Sequence, residues 1–282
     1  MRLPTRHAVV ALAAAAAASL GACAGAPSPA AKAGAPPLRV CLLAHAAPLS
    51  DRASGGGLDV DVMSAVATQL GVGFEPVWIE NAAVVTEVDE GDLPLVPLAR
   101  GRCDAVASVP GEAALREAGD ALELTRAYYG AAFELVGGEA SDLAELRGRT
   151  VAVQAQTVAH YALQGSGVRW ISRSTPAEAV AALDAGAADA ALVWGPALGP
   201  LSRTPAAGWQ APQGLRWNEH VAVRASDAAL ARRIDDALAA LAARGEIARL
   251  ARAHGVPDHA PFDTTSNAGA LAALGVGGRG RP

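Results

Sequence analysis

Apolar residues in this chain fall into two recurring patterns. Short unbroken runs suit buried strands, and positions spaced by three or four suit helices with one buried face. Leu38 to Leu43 is a short apolar run that predicts a strand. It empties into a Pro/Ser/Gly-rich loop from Ala46 to Gly57. Leu58, Val62, Val66 and Leu70 then repeat at helical spacing, and Gly71 stops the helix. Phe74 to Ile79 predicts the next strand, Pro94 to Arg100 a weakly patterned helix, and Asp104 to Val109 a third strand. Strands alternating with helices imply a parallel sheet with crossover helices.

The pattern then restarts. Tyr128 to Val136 reads as a strand, Asp142 to Arg147 as a short helix, and Val151 to Gln154 as a strand followed by a helix around Val158 to Leu163. Trp170 and Ile171 end a short strand. Thr175-Pro176-Ala177-Glu178 is a capping box with proline at the first helical position, opening a helix to about Ala185. Asp189 to Trp194 and His220 to Arg224 are further strands. Ser226 is placed to cap a long helix in which Leu230, Ile234, Leu238 and Leu241 share a face. Gly245 breaks it, and Ile247 to His254 continues as a last helix. The two halves echo each other: Gly101-Arg102-Cys103-Asp104-Ala105-Val106 parallels Gly186-Ala187-Ala188-Asp189-Ala190-Ala191. Two similar α/β lobes joined by strands leave a cleft, and ligands of such folds sit beyond the carboxyl ends of the strands.

The N-terminus has a different character. Arg2 and Arg6 precede an apolar stretch from Ala8 to Ala22, too short for a comfortable membrane span and shaped like a signal peptide. It runs into Leu20-Gly21-Ala22-Cys23, which resembles a bacterial lipobox, so Cys23 is the expected lipidation site; cleavage near Ala22 with Cys23 incidental is the other reading. Lipid anchors through acyl chains rather than a helix, and Ala24 after the cysteine points to the outer membrane. Residues 24–37, rich in Ala, Gly, Pro and Ser, read as a tether. Removal of residues 1–22 takes two arginines and moves the net charge from −5 to −7. No basic footprint for nucleic acid is present. With Cys23 lipidated, Cys41 and Cys103 remain, and export favours a bridge between them. Residues 263–282 read as a disordered tail.

Together, Leu38-Arg39-Val40, Gly57-Leu58-Asp59-Val60-Asp61-Val62, Gly101 to Val106, Thr125 to Tyr129, Asp142-Leu143 through Gln154, and Val221 to Arg224 resemble the type 2 periplasmic solute-binding proteins (family 3) over about residues 38–257. Arg39-Val40-Cys41, Pro48-Leu49-Ser50, Arg102-Cys103-Asp104, Val109-Pro110 and Val193-Trp194-Gly195-Pro196 are similar to a narrower branch, associated with quinoprotein dehydrogenases. The stretch after the second strand departs from that branch, holding only Trp78 and then acidic residues. The resemblance implies a two-lobed α/β fold with a mostly parallel sheet in each lobe. Lobe 1 is expected over 38–132 plus 219–262 and lobe 2 over 133–218. It also implies a non-catalytic accessory factor for a PQQ-dependent alcohol or methanol dehydrogenase, partnered by the dehydrogenase or its cytochrome c. The alternative is the substrate-binding receptor of an ABC transporter for a small polar or aromatic solute. A third reading is a cyclohexadienyl dehydratase-like enzyme.

Amino-acid-binding relatives need a guanidinium for the α-carboxylate and a carboxylate for the α-ammonium. Arg116 stands where that arginine falls in the family. The preceding Ser-x-Thr is replaced by Gly111-Glu112-Ala113, and a solvated arginine beside Glu112 and Glu117 is the competing reading. Trp194 stands where the ammonium-binding acid is expected, which argues against tight binding of free amino acids. Trp194-Gly195-Pro196 at a strand end is therefore either a stacking platform or an inter-lobe packing element. Gln154, Gln156 and Thr157 at a strand-to-helix junction could offer N–H groups to an anion, or Thr157 could simply cap the helix. His45, Ser108 and Pro110 complete the expected lip. Glu87, Asp89, Glu90 and Asp92 form an acidic loop without calcium-loop spacing. No metal site, cofactor site or catalytic motif is recognisable, and His160 beside Tyr161 lacks an activating arrangement.

Overall fold

The computed structural model describes residues 35–81, 95–111 and 119–263. The expected signal peptide, Cys23, the acidic run 87–92, Arg116 and the expected tail beyond 263 lie outside these residues.

Strand β1 (Leu38–Leu43) is followed by a hairpin of two short strands, β2 (His45–Ala46) and β3 (Ser50–Asp51), inside the Pro/Ser/Gly-rich loop. Helix α1 (Leu58–Leu70) begins after Gly57 and ends at Gly71 in the left-handed conformation. Gly57 is required: a Cβ there would sit 2.3 Å from the Leu49 carbonyl oxygen. β4 (Phe74–Ile79), α2 (Leu95–Ala99), β5 (Ala105–Pro110), β6 (Leu122–Leu124) and β7 (Tyr129–Val136) follow. The second lobe contains β8 (Thr150–Gln154), α3 (Val158–Leu163), β9 (Arg169–Arg173), α4 (Pro176–Asp184) and β10 (Ala190–Trp194). β11 (Arg216–Arg224), α5 (Ala228–Ala243) and α6 (Glu246–Ala253) return to the first lobe.

Apart from the β2–β3 hairpin, the strands form one continuous sheet in the order β4-β1-β5-β11-β7-β10-β8-β9, with β6 paired to β11. β1 is parallel to β4 and β5, and β8 is parallel to β9 and β10. Between these parallel sets run β7 and β11, antiparallel to each other and to their outer neighbours. This is a two-lobed type 2 periplasmic binding protein fold, with β7 and β11 as the crossing strands.

The core explains the pattern. α1, α5 and α6 bury Val62, Val66, Ile234 and Leu238 against one face of the first lobe's sheet. On its other face Leu98 of α2 packs over the Cys41–Cys103 disulfide, whose sulfur-bearing residues are fully buried. The second lobe buries both faces of β8 and β10, as strands covered by helices on each side require.

Three local expectations are corrected. β11 begins at Arg216, four residues before the apolar run that predicted it. Ser226 lies in a tight 3-10 turn, Ala225–Asp227, and makes no cap; α5 starts at Ala228. The segment around Asp142 to Arg147 closes only a 3-10 turn, Ala144–Leu146, with Asp142 accepting from the Ala144 and Glu145 N–H groups.

Candidate ligand cleft

The carboxyl ends of β5 and β10 pair with the crossing strands, Pro110 with Glu219 and Trp194 with Phe133, and there the chain places its most unusual side chains. Trp194, the last residue of β10, lies flat on Trp217 of β11, with ring centroids 4.7 Å apart and planes 10° apart. Phe133, the register partner of Trp194, is tilted against both indoles. Both tryptophans are half-buried, and both pack against the cores of both lobes. The aromatic trio is thus the seam between the lobes.

Gly195 and Pro196 follow in a 3-10 turn, Gly195–Leu198. A Cβ at Gly195 would lie 2.8 Å from the Ala132 carbonyl oxygen and 3.2 Å from Glu134 Cγ. The close backbone approach that this glycine permits is therefore to the crossing strand β7.

Beneath the indoles lies a group of buried acids. The Trp217 Nε1–H donates to Glu219 Oε1 at 2.8 Å. Glu219 is 4% exposed and is the register partner of Tyr129. Asp59, 2% exposed in the first turn of α1, accepts from the Tyr128 hydroxyl at 2.6 Å. Burial pushes the Asp59 carboxyl up to about 6 despite the Tyr128 and Ser108 hydroxyls, which favour its charged form. Burial and the neighbouring Asp59 push Glu219 up to about 8. The same burial raises both tyrosines. Three buried oxygens here have no hydrogen-bond partner: Asp59 Oδ2, Glu219 Oε2 and the Tyr129 hydroxyl.

Ser108 adopts a left-handed conformation, φ 56°. The ladder explains it. Val106 and Val109 of β5 oppose Ala222 and His220 of β11, so β5 carries one extra residue and bulges. The freed Ser108 N–H donates to the Tyr128 hydroxyl at 3.0 Å. A bulge at a strand end re-aims the chain into a binding lip, and strained residues of this kind concentrate at such sites. Pro110 ends the strand opposite Glu219. Gly111 has no room for a side chain: a Cβ would meet His220 Nε2 at 2.6 Å. His220 is held with Nδ1 against the Thr125 carbonyl at 2.7 Å, so Nδ1 carries the proton. A histidine from β11 thus fills the space that a serine at position 111 would use.

The other expected lip residues are satisfied locally. Thr157 caps α3, accepting from His160 N–H and donating to the Gln154 carbonyl. The Gln156 N–H is taken by His160 Nδ1 and the Gln154 side chain by the Ser174 carbonyl. His45 is exposed on β2, 3.4 Å from Glu80. None of these contacts reaches the Trp194 group. Among the described residues no cluster of three or more His, Cys, Asp or Glu could hold a metal ion. One surface cavity of about 260 Å³ is lined by Leu143, Arg147 and Ser166, and another of about 320 Å³ by Leu70, Val72 and Arg233.

After α6 the chain folds back over the crossing strands. His254 bonds Asp61 at 2.7 Å, Gly255 packs on Gly199, and His259 bonds buried Glu134 at 2.6 Å. Asn218 and Phe262 exchange two hydrogen bonds, and the Arg216 guanidinium lies 5.0 Å from the Phe262 ring centroid. Residues 254–262 therefore form a strap touching both lobes. Sequence reasoning missed Trp217, Glu219 and this strap; Arg216-Trp217-Asn218-Glu219 holds a single apolar residue and carries no strand alternation.

This architecture defines the class of fold. No family model and no curated protein sequence matches the chain. Solved structures share the fold. The L-cystine solute receptor of Neisseria gonorrhoeae, in an unliganded open conformation, is 21% identical with a TM-score of 0.65, covering 79% of this chain and 94% of that one. A polar amino acid ABC uptake transporter substrate-binding protein from Streptococcus thermophilus is 20% identical, TM-score 0.62, covering 79% and 88%. The second substrate-binding domain of a putative amino acid ABC transporter from Streptococcus pneumoniae is 20% identical, TM-score 0.56, covering 77% and 98%. At these identities the likeness defines the fold. No described helix is long and apolar enough to cross a membrane.

Proposed function

We propose that this protein is an exported, lipid-anchored solute receptor that holds a small organic ligand between its lobes and presents it to a transporter. The observation that carries this reading is the inter-lobe seam: two stacked, half-buried indoles over buried carboxylate and phenol oxygens that lack partners. A flat apolar wall with a few convergent polar atoms is how small-molecule sites are built. The solved neighbours are solute receptors and substrate-binding domains, which supports the same direction. The accessory role beside a quinoprotein dehydrogenase, implied by sequence resemblance, gains no support from them.

The test is a thermal-shift screen of the mature protein against a library of amino acids, amines, organic acids, sugars and aromatic solutes. A receptor gains stability by mass action, about 2.7 kcal/mol at a hundred times Kd. A saturable upward shift with at least one solute class, lost in Trp194→Ala, is expected. Silence across the library, with capture of a dehydrogenase or its cytochrome from periplasm, would overturn the receptor reading.

A further inference from the structure

The three partnerless oxygens describe what they lack. Asp59 Oδ2 and Glu219 Oε2 are carboxylate oxygens, which accept hydrogen bonds when ionised. The Tyr129 hydroxyl can accept as well as donate. All three residues are at least nine-tenths buried. They lie within electrostatic reach of one another: Glu219 faces Tyr129 across the ladder, and Asp59, bonded by Tyr128, acts on both Glu219 and Tyr129. The charged groups acting on the two acids are few. Among the described residues, the charge-bearing neighbour acting on Asp59 is His254, itself bonded to Asp61, and the one acting on Glu219 is Asp59. Two buried carboxyls without a compensating cation are costly to ionise. Their mouth is aromatic, because the Trp217 indole that binds Glu219 is itself stacked by Trp194.

We infer that Asp59, Glu219 and Tyr129 form a receiving site for the protonated amine of the cleft ligand, with Trp194 and Trp217 as its aromatic wall. An ammonium supplies up to three donors to three waiting acceptors and neutralises buried charge. Indole faces attract such a cation and pack a flat apolar body beside it. The acid for the amine thus comes from α1 and a crossing strand, while the end of β10, where Trp194 stands, provides stacking. The inference rests on the receptor reading and names the ligand class: a primary amine with an aromatic or similarly flat body.

Calorimetric titration of the mature protein with phenethylammonium, 2-phenylethanol, phenylacetate and potassium chloride tests it. Phenethylammonium alone is expected to bind saturably. Glu219→Gln, which keeps an acceptor for Trp217, should weaken it by about tenfold or more, and Tyr129→Phe by a smaller factor. Binding of 2-phenylethanol as tight as that of the amine, or unchanged affinity in Glu219→Gln, overturns the amine site. So does an equal response to potassium, which assigns the oxygens to an inorganic cation. If the amine site fails while other library solutes still bind with Trp194 dependence, the receptor reading stands without it. If no solute binds, both fall.

Discussion

Trp194, from the end of a second-lobe strand, lies parallel to Trp217, from a crossing strand, with 4.7 Å between ring centroids. The pair does two jobs through one contact. It joins the cores of the two lobes, and through the Trp217 N–H it fixes the carboxyl of Glu219. Platform and packing element, which sequence alone left as alternatives, are compatible here because each indole is buried only in part.

Trp194→Ala is therefore expected to lower stability as well as ligand response. Removing a large aromatic from a packed site costs about 3–5 kcal/mol when burial is complete, so about 2 kcal/mol is expected for this half-buried ring. Urea unfolding measures it. Trp194→Phe, which keeps a flat ring, should recover most of the loss.

The buried acids give a pH signature with a definite sign. Glu219 and Asp59 hold protons in the fold up to about 8 and about 6, well above ordinary carboxylate values. Their contribution to stability is fully present below the unfolded-state values and is lost as pH rises through those folded values. Glu219→Gln should match the parent near pH 5 and exceed it above pH 8 by about 1–3 kcal/mol. A thermal melt series across that range reads the difference. By the same linkage, amine affinity should rise with pH below about 8, since a proton on Glu219 competes with the ammonium.

The strap makes a separate claim. Glu134 is 3% exposed, and its hydrogen bond is to His259, 2.6 Å away. His259→Ala strands a buried carboxylate and should cost about 3 kcal/mol in denaturant unfolding. Glu134→Gln in the same chain should restore part of it, a recovery that loss of packing alone would not produce.

How far the sequence carried the reading differs by element. The first helix and the parallel strands were legible because local apolar spacing decides them; the helix start at Thr175 was legible from its hydroxyl, which accepts from the Glu178 N–H, while Glu178 reaches the N–H of Ser174 rather than that of Thr175. Trp194 stood out as a tryptophan at a strand end. Its partners did not. Residues 216–219 are polar or amphipathic, and they form a strand because Ala132, Ala131, Gly130 and Tyr129, some ninety residues earlier, supply the ladder. Phe262 then covers Asn218 from the other direction. No periodicity within the segment records those contacts. Ser226 is no cap because it lies inside the Ala225–Asp227 turn, which the Arg224–Asp227 ion pair spans.

The Cys41–Cys103 bridge closes a loop 62 residues apart in sequence. Replacing both cysteines by alanine should cost about 2–4 kcal/mol in chemical unfolding. In the native protein both sites are fully buried, so thiol labelling after mild reduction should be slow until the chain opens.

The most direct test of the receptor account is native mass spectrometry of the exported protein, purified without denaturation from cells grown on a rich mixture of solutes. A bound small organic molecule, released on unfolding and missing from Trp194→Ala and Glu219→Gln, is the expected result. A protein that emerges at its own mass alone, and still gains none when the solute library is added back, contradicts the account.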